Sequence, residues 1–139
     1  MKYKFICPLI RCQVILLMGD RKLLKEYDPD DKRDCFGALC KEVEYESGEI
    51  GYLVWVQGPS EYNTMVHETI HLVQRIFKNT KIPFTAENEE IIAYYQNYWV
   101  RKFWHVMGNF IEKEKKGKNN GSTKRSATKR TKDLDLSRP

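Results

Sequence analysis

Residues 52–78 read YLVWVQGPSEYNTMVHETIHLVQRIFK, and the spacing of the apolar side chains changes in the middle of them. Tyr52 to Val56 form an unbroken apolar run closed by Gly58-Pro59, the mark of a short buried strand. Past Ser60, a plausible N-cap, Val66, Ile70, Val73 and Phe77 recur three or four apart. That spacing puts one apolar face on a helix from about Glu61 to Lys78. A strand handing over to an amphipathic helix is one half of an α+β pattern.

The rest of the pattern lies on either side. Upstream, Val14-Ile15-Leu16-Leu17-Met18 is a buried strand ended by Gly19-Asp20, and Asp20 can cap a short helix over residues 21–26. Residues 27–31 are loop, because Pro29 and three acids break any periodicity. A strand over residues 35–44 joins the one at 52–57 through Glu46-Ser47-Gly48-Glu49, a hairpin connection. Downstream, Asn79-Thr80-Lys81-Ile82-Pro83 ends the first long helix. Thr85 can cap a second, whose acidic opening (Glu87, Glu89, Glu90) suits the positive end of a helix dipole. It continues through Ile92, Tyr95, Trp99, Phe103 and Val106. The expected fold is α+β: a small, mostly antiparallel N-terminal sheet followed by two long helices.

The chain has 139 residues, the size of one domain, with a formal charge of +5. That charge is unevenly placed. Residues 113–139 hold ten basic side chains against three acidic ones, a net +7, and residues 1–112 carry 14 against 16, a net −2. With no aromatic residue and only Leu134 and Leu136 as sizeable apolar groups, residues 113–139 read as a disordered basic tail on a folded domain of residues 1–112. Nucleic acid is thus expected as a partner only through the tail.

No apolar run approaches the ~18 residues that span a bilayer, so no membrane partner is expected. Lys2 and Lys4 precede an apolar stretch, but Arg11 and Gln13 interrupt it and no secretory signal is read; the expectation is a cytoplasmic protein. Cys7 and Cys12, like Cys35 and Cys40, are five apart. This is loose for a zinc ribbon and places the two on opposite sides of a strand, so reduced thiols packed as small hydrophobes are expected, with a structural metal site as the other reading.

Chemistry concentrates in His67-Glu68-Thr69-Ile70-His71, an H-E-x-x-H segment on the first long helix. Residues four apart on a helix stand one turn above each other, so both imidazoles can point at a single Zn²⁺. Glu68 projects beside them, where it can take a proton from a metal-bound water. With three His and twelve Glu in the chain, about 0.005 chance matches are expected. Histidines serving only an amphipathic helix are the bland alternative. A catalytic zinc also needs a third protein ligand, and Glu87, Glu89 and Glu90 offer carboxylates at the start of the next helix.

The H-E-x-x-H pair followed after 18 residues by Glu90, within Glu87-Asn88-Glu89-Glu90-Ile91-Ile92-Ala93, resembles the gluzincin metallopeptidases. Val66-His67-Glu68, Glu87-Asn88-Glu89-Glu90 and Ala93-Tyr94-Tyr95 are also similar to short HExxH proteins of phages and prophage-like elements. The gluzincin resemblance covers about residues 52–98. It implies a minimal zincin-like fold in which His67, His71 and Glu90 hold Zn²⁺, Ala93 lets the helices approach, and Glu68 is the general base for hydrolysis of a peptide or protein substrate. Asn88 stands two places before Glu90 where the family pattern has it adjacent, which leaves Glu89 as an alternative ligand. The resemblance further implies that the strand at residues 52–57 is an exposed edge pairing with extended peptide; a plain core strand is the other reading. Peptide hydrolysis also needs a donor for the developing oxyanion. His105 lies about 22 Å along a straight helix from Glu90, so Tyr94, one turn past Glu90, is the candidate. Tyr95, Tyr98, Trp99, Phe103 and Trp104 read as packing. A zincin scaffold that acts by protein contact instead of catalysis is the alternative function.

Overall fold

A computed structural model describes residues 1–29, 37–58 and 62–122. Strands β1 (Lys2–Ile6), β2 (Gln13–Met18), β3 (Ala38–Glu44) and β4 (Ile50–Val56) form one sheet of order β1-β2-β4-β3, and helices α1 (Tyr62–Asn79) and α2 (Glu89–Ser122) follow. The β1–β2 and β3–β4 pairs are antiparallel and the central β2–β4 pair is parallel. The α+β expectation, a small, mostly antiparallel sheet and then helices, therefore holds.

The sheet is covered on both faces, and side-chain alternation sorts each strand between them. Val14, Leu16, Met18, Tyr52, Val54 and Val56 pack under the helices against Met65, Leu72, Val73, Ile76, Phe77, Trp99 and Phe103. Ile15, Leu17, Leu53 and Trp55 face the other way, towards Leu24 and Val43. Leu24 comes from a 3₁₀ turn (Arg21–Glu26), whose cap is the one read from the sequence: Asp20 accepts a hydrogen bond from the Lys22 N–H at 2.8 Å.

Several readings are corrected. The strand at residues 52–57 is not an edge: β4 lies between β2 and β3, and its residues from Tyr52 to Val56 are at most 1% exposed. A run apolar on both faces belongs in the middle of a sheet. The edges are β1 and β3. Strand β1 has no counterpart in the sequence reading, because Lys2 and Lys4 alternate with Tyr3 and Phe5, so only one face of it packs. Cys7 and Cys12 do not share a strand. They flank the β1–β2 connection, where the Cys7 N–H donates to the Cys12 carbonyl at 2.8 Å, and the Cys7 sulfur lies 2.9 Å from the Tyr95 hydroxyl. Hydrogen bonds from the Cys12 thiol and from Tyr95 pull the Cys7 thiol down to about 5, against its burial. Cys7, Cys12 and Cys40 are free thiols, as expected; Cys35 and the Ser60 cap lie outside the described residues. Thr85 precedes a 3₁₀ turn (Ala86–Asn88) and makes no side-chain cap bond. Helix α2 runs to Ser122, ten residues past the boundary drawn at residue 112. The Glu- and Lys-rich stretch from Glu112 to Lys116 consists of good helix formers, with Glu112 placed to support Lys116 one turn on.

Candidate metal centre

Helix α1 lies on the sheet through Met65, Thr69, Leu72, Val73, Ile76 and Phe77, all at most 1% exposed. Fixing that face fixes the opposite one, and His67 and His71 project from it towards solvent. Their Nε2 atoms are 3.1 Å apart, with ring centroids separated by 4.8 Å and planes at 80°. Two nitrogens bound to zinc at 2.0–2.1 Å in a tetrahedron stand about 3.3 Å apart, so the two rings converge as a chelating pair does. His71 Nδ1 lies 3.4 Å from Gln74 Oε1; where Nδ1–H donates there, His71 Nε2 is the acceptor and His67 Nε2–H the donor of the 3.1 Å contact.

Glu68 projects from the flank of α1 towards strand β3, is 8% exposed, and stays within electrostatic reach of both histidines. Burial raises its carboxyl above the ordinary range, while His71, His67, the Cys40 backbone N–H and Arg75 act in the opposite sense. A shift in that direction makes the carboxylate a stronger base. Cys40 lies beneath the same corner, its thiol pushed up to about 12 by burial, with Arg75 opposing and Glu68 adding to the shift. The sequence reading associates neither Cys40 nor Arg75 with the histidine pair. Arg75 had a signal, since it continues the stripe one turn past His71; Cys40 had none, because only the fold brings β3 under α1.

The other predicted residues stand apart. Tyr62 packs on Trp104 at 4.6 Å and Phe77 on Tyr95 at 5.5 Å, so α1 and α2 run antiparallel. Phe77 lies roughly 9 Å along α1 from His71, and Glu90 lies roughly 7 Å before Tyr95 on α2, farther in the same direction. Glu89, Glu90 and Ala93 are all exposed. Among the described residues no three His, Cys, Asp or Glu side chains come together as a metal-holding group. His67 and His71 stand as a pair, and among the described residues no further His, Cys, Asp or Glu side chain joins them as a metal-holding group. Tyr94 is 72% exposed and, with His105 and Phe5, lines a separate groove that includes neither histidine of the pair. Tyr95, Trp99 and Phe103 pack into the core as read.

No protein-family model, curated protein or solved structure matches this chain. Among the described residues no helix is long and apolar enough to cross a membrane.

Proposed function

We propose that the chain is a minimal zincin-type, zinc-dependent peptidase, acting on a peptide or protein substrate with Glu68 as general base. The observation that carries this reading is the 3.1 Å approach of the His67 and His71 Nε2 atoms on one face of α1, with Glu68 buried beside them. Zinc, when bound, supplies a Lewis acid and a water acidified towards neutrality. His67 and His71 would hold the ion, and Glu90, or Glu89 in its place, would complete the set only if the start of α2, which stands roughly 16 Å farther along the helix pair, moved towards them. Glu68 accepts a proton and returns it to the leaving amine. Strand β3, an edge of the sheet with its Cys40 N–H turned to Glu68, is where an extended peptide adds as a further strand.

The test is zinc content after reconstitution, measured by ICP-MS, together with hydrolysis of a mixed peptide library. The parent binds one zinc per chain, His67→Ala and His71→Ala lose it, and Glu68→Gln keeps it while hydrolysis falls about 10²-fold or more. Zinc retained by His67→Ala overturns the ligand assignment. One observation favours a second reading, a zincin-like scaffold that acts by protein contact: no third ligand stands with the two histidines among the described residues. Zinc bound at full occupancy with no hydrolysis of any library member decides for that reading.

A further inference from the structure

Tyr94, Tyr98, Arg101, Lys102 and His105 recur along α2 at intervals of three and four, which places them on one stripe of the helix. Together with Phe5 of β1 they line an open groove of about 850 Å³ on the sheet-edge side of α2, and no carboxylate lines it. Among the described residues neither Arg101 nor Lys102 is paired with an acid; the Lys102 ammonium sits over the Tyr98 ring, 5.6 Å from its centroid. Tyr98 is held in place by its stack on Tyr95, at 6.0 Å and 12°. Tyr94, in contrast, leaves 72% of its surface in water on a helix whose other large aromatics mostly pack. The same helix carries Lys113 and Lys116 farther on, just past Glu112.

We propose that this groove binds single-stranded nucleic acid, with the Tyr94 ring as a stacking platform for a base and Arg101 and Lys102 on the phosphates. An acidic peptide would need the cations alone. The groove adds an exposed aromatic face one to two turns from them, and a flat π-face joined to a repeating anion is what an unpaired nucleotide presents. A single strand is required because a base must be free of its duplex partner to lie on Tyr94. The proposal is independent of the zinc reading, since the histidine pair takes no part in the groove, and it places binding on the folded body instead of on the basic terminus.

The test is fluorescence anisotropy with a labelled oligothymidylate of about 15 nucleotides and the full chain, repeated across a salt series. The parent binds with an affinity that falls as salt rises. Arg101→Gln with Lys102→Gln weakens binding and reduces the slope of log K against log salt by about 1.4, at roughly 0.7 per single-strand phosphate contact. Tyr94→Leu weakens binding about fivefold or more and leaves the slope unchanged. All three side chains are exposed, so the variants keep the fold, which circular dichroism verifies. Parent-like binding by both variants overturns the proposal and assigns the affinity to the basic terminus. Equal competition by an oligoglutamate peptide, or no binding by the parent, overturns it as well.

Discussion

Cys40 and Tyr52 keep their protons at a pH where water would take them. Burial pushes the Cys40 thiol from 9.0 to about 12 and the Tyr52 phenol from 10.0 to about 12. A group raised on folding contributes stability that is whole below its unfolded value and is lost as pH climbs through its folded value. The urea midpoint of the parent should therefore decline from about pH 9 upward, and in Cys40→Ala the decline between pH 9 and 10 should be shallower, carried there by the raised Cys12 thiol until Tyr52 joins near pH 10. A parent midpoint flat from pH 8 to 11 would contradict both burials. Tyr52 also accepts a 2.7 Å hydrogen bond from the Asn79 side chain, which ties the start of β4 to the end of α1. Tyr52→Phe should cost about 1 kcal/mol, read as a lower midpoint at neutral pH. At this scale the sequence was legible wherever a single helix does the arranging: His67 and His71 converge because four residues make a turn. It was silent on Cys40, whose place beside Glu68 depends on two elements meeting, and it could not say which face of α2 Tyr94 occupies.

At the scale of elements, the apolar run of β4 was legible as a strand, but its neighbours were not, because edge or interior position depends on pairing partners far along the chain. Gly51 shows how tightly that pairing is made. A Cβ there would stand 2.8 Å from the Tyr45 ring and 2.9 Å from the Gln13 backbone carbonyl. The ring can swing if it gives up its 2.9 Å hydrogen bond to the Gln13 side chain, but the carbonyl belongs to β2 and can move only with the strand. Gly51→Ala should thus destabilise by about 1–3 kcal/mol, measured by urea unfolding, and adding Tyr45→Leu should recover only part of the loss. Full recovery would mean that the close β2–β4 approach is not what excludes a side chain. On the other side of the sheet, Leu72 is fully buried between α1 and the strands, and Leu72→Ala should cost about 2–5 kcal/mol by the cavity it leaves. The extension of α2 to Ser122 was missed for a different reason: charge runs suggest solvated coil, yet Glu and Lys also propagate a helix that packing has already nucleated.

For the whole molecule, the question is whether two histidines on α1 and a carboxylate at the start of α2 act together at all, since the antiparallel helices set them at different levels. Folding stability measures this directly, because an ion that binds only the native chain stabilises it by mass action. At a free zinc concentration 100 times its dissociation constant the gain is about 2.7 kcal/mol, which for a domain of this size raises the melting temperature by roughly 10 °C. The parent should show that rise by differential scanning calorimetry, and a chelator should reverse it. His67→Ala and His71→Ala should abolish it. If Glu90 completes the set, Glu90→Gln should lose most of the rise while Glu89→Gln keeps it, and the reverse pattern would transfer the ligand to Glu89. A rise that survives in both carboxylate variants would show that the histidine pair binds zinc without α2, leaving the scaffold reading as the better account. A parent whose melting temperature zinc does not move would remove the metal from the proposed function altogether.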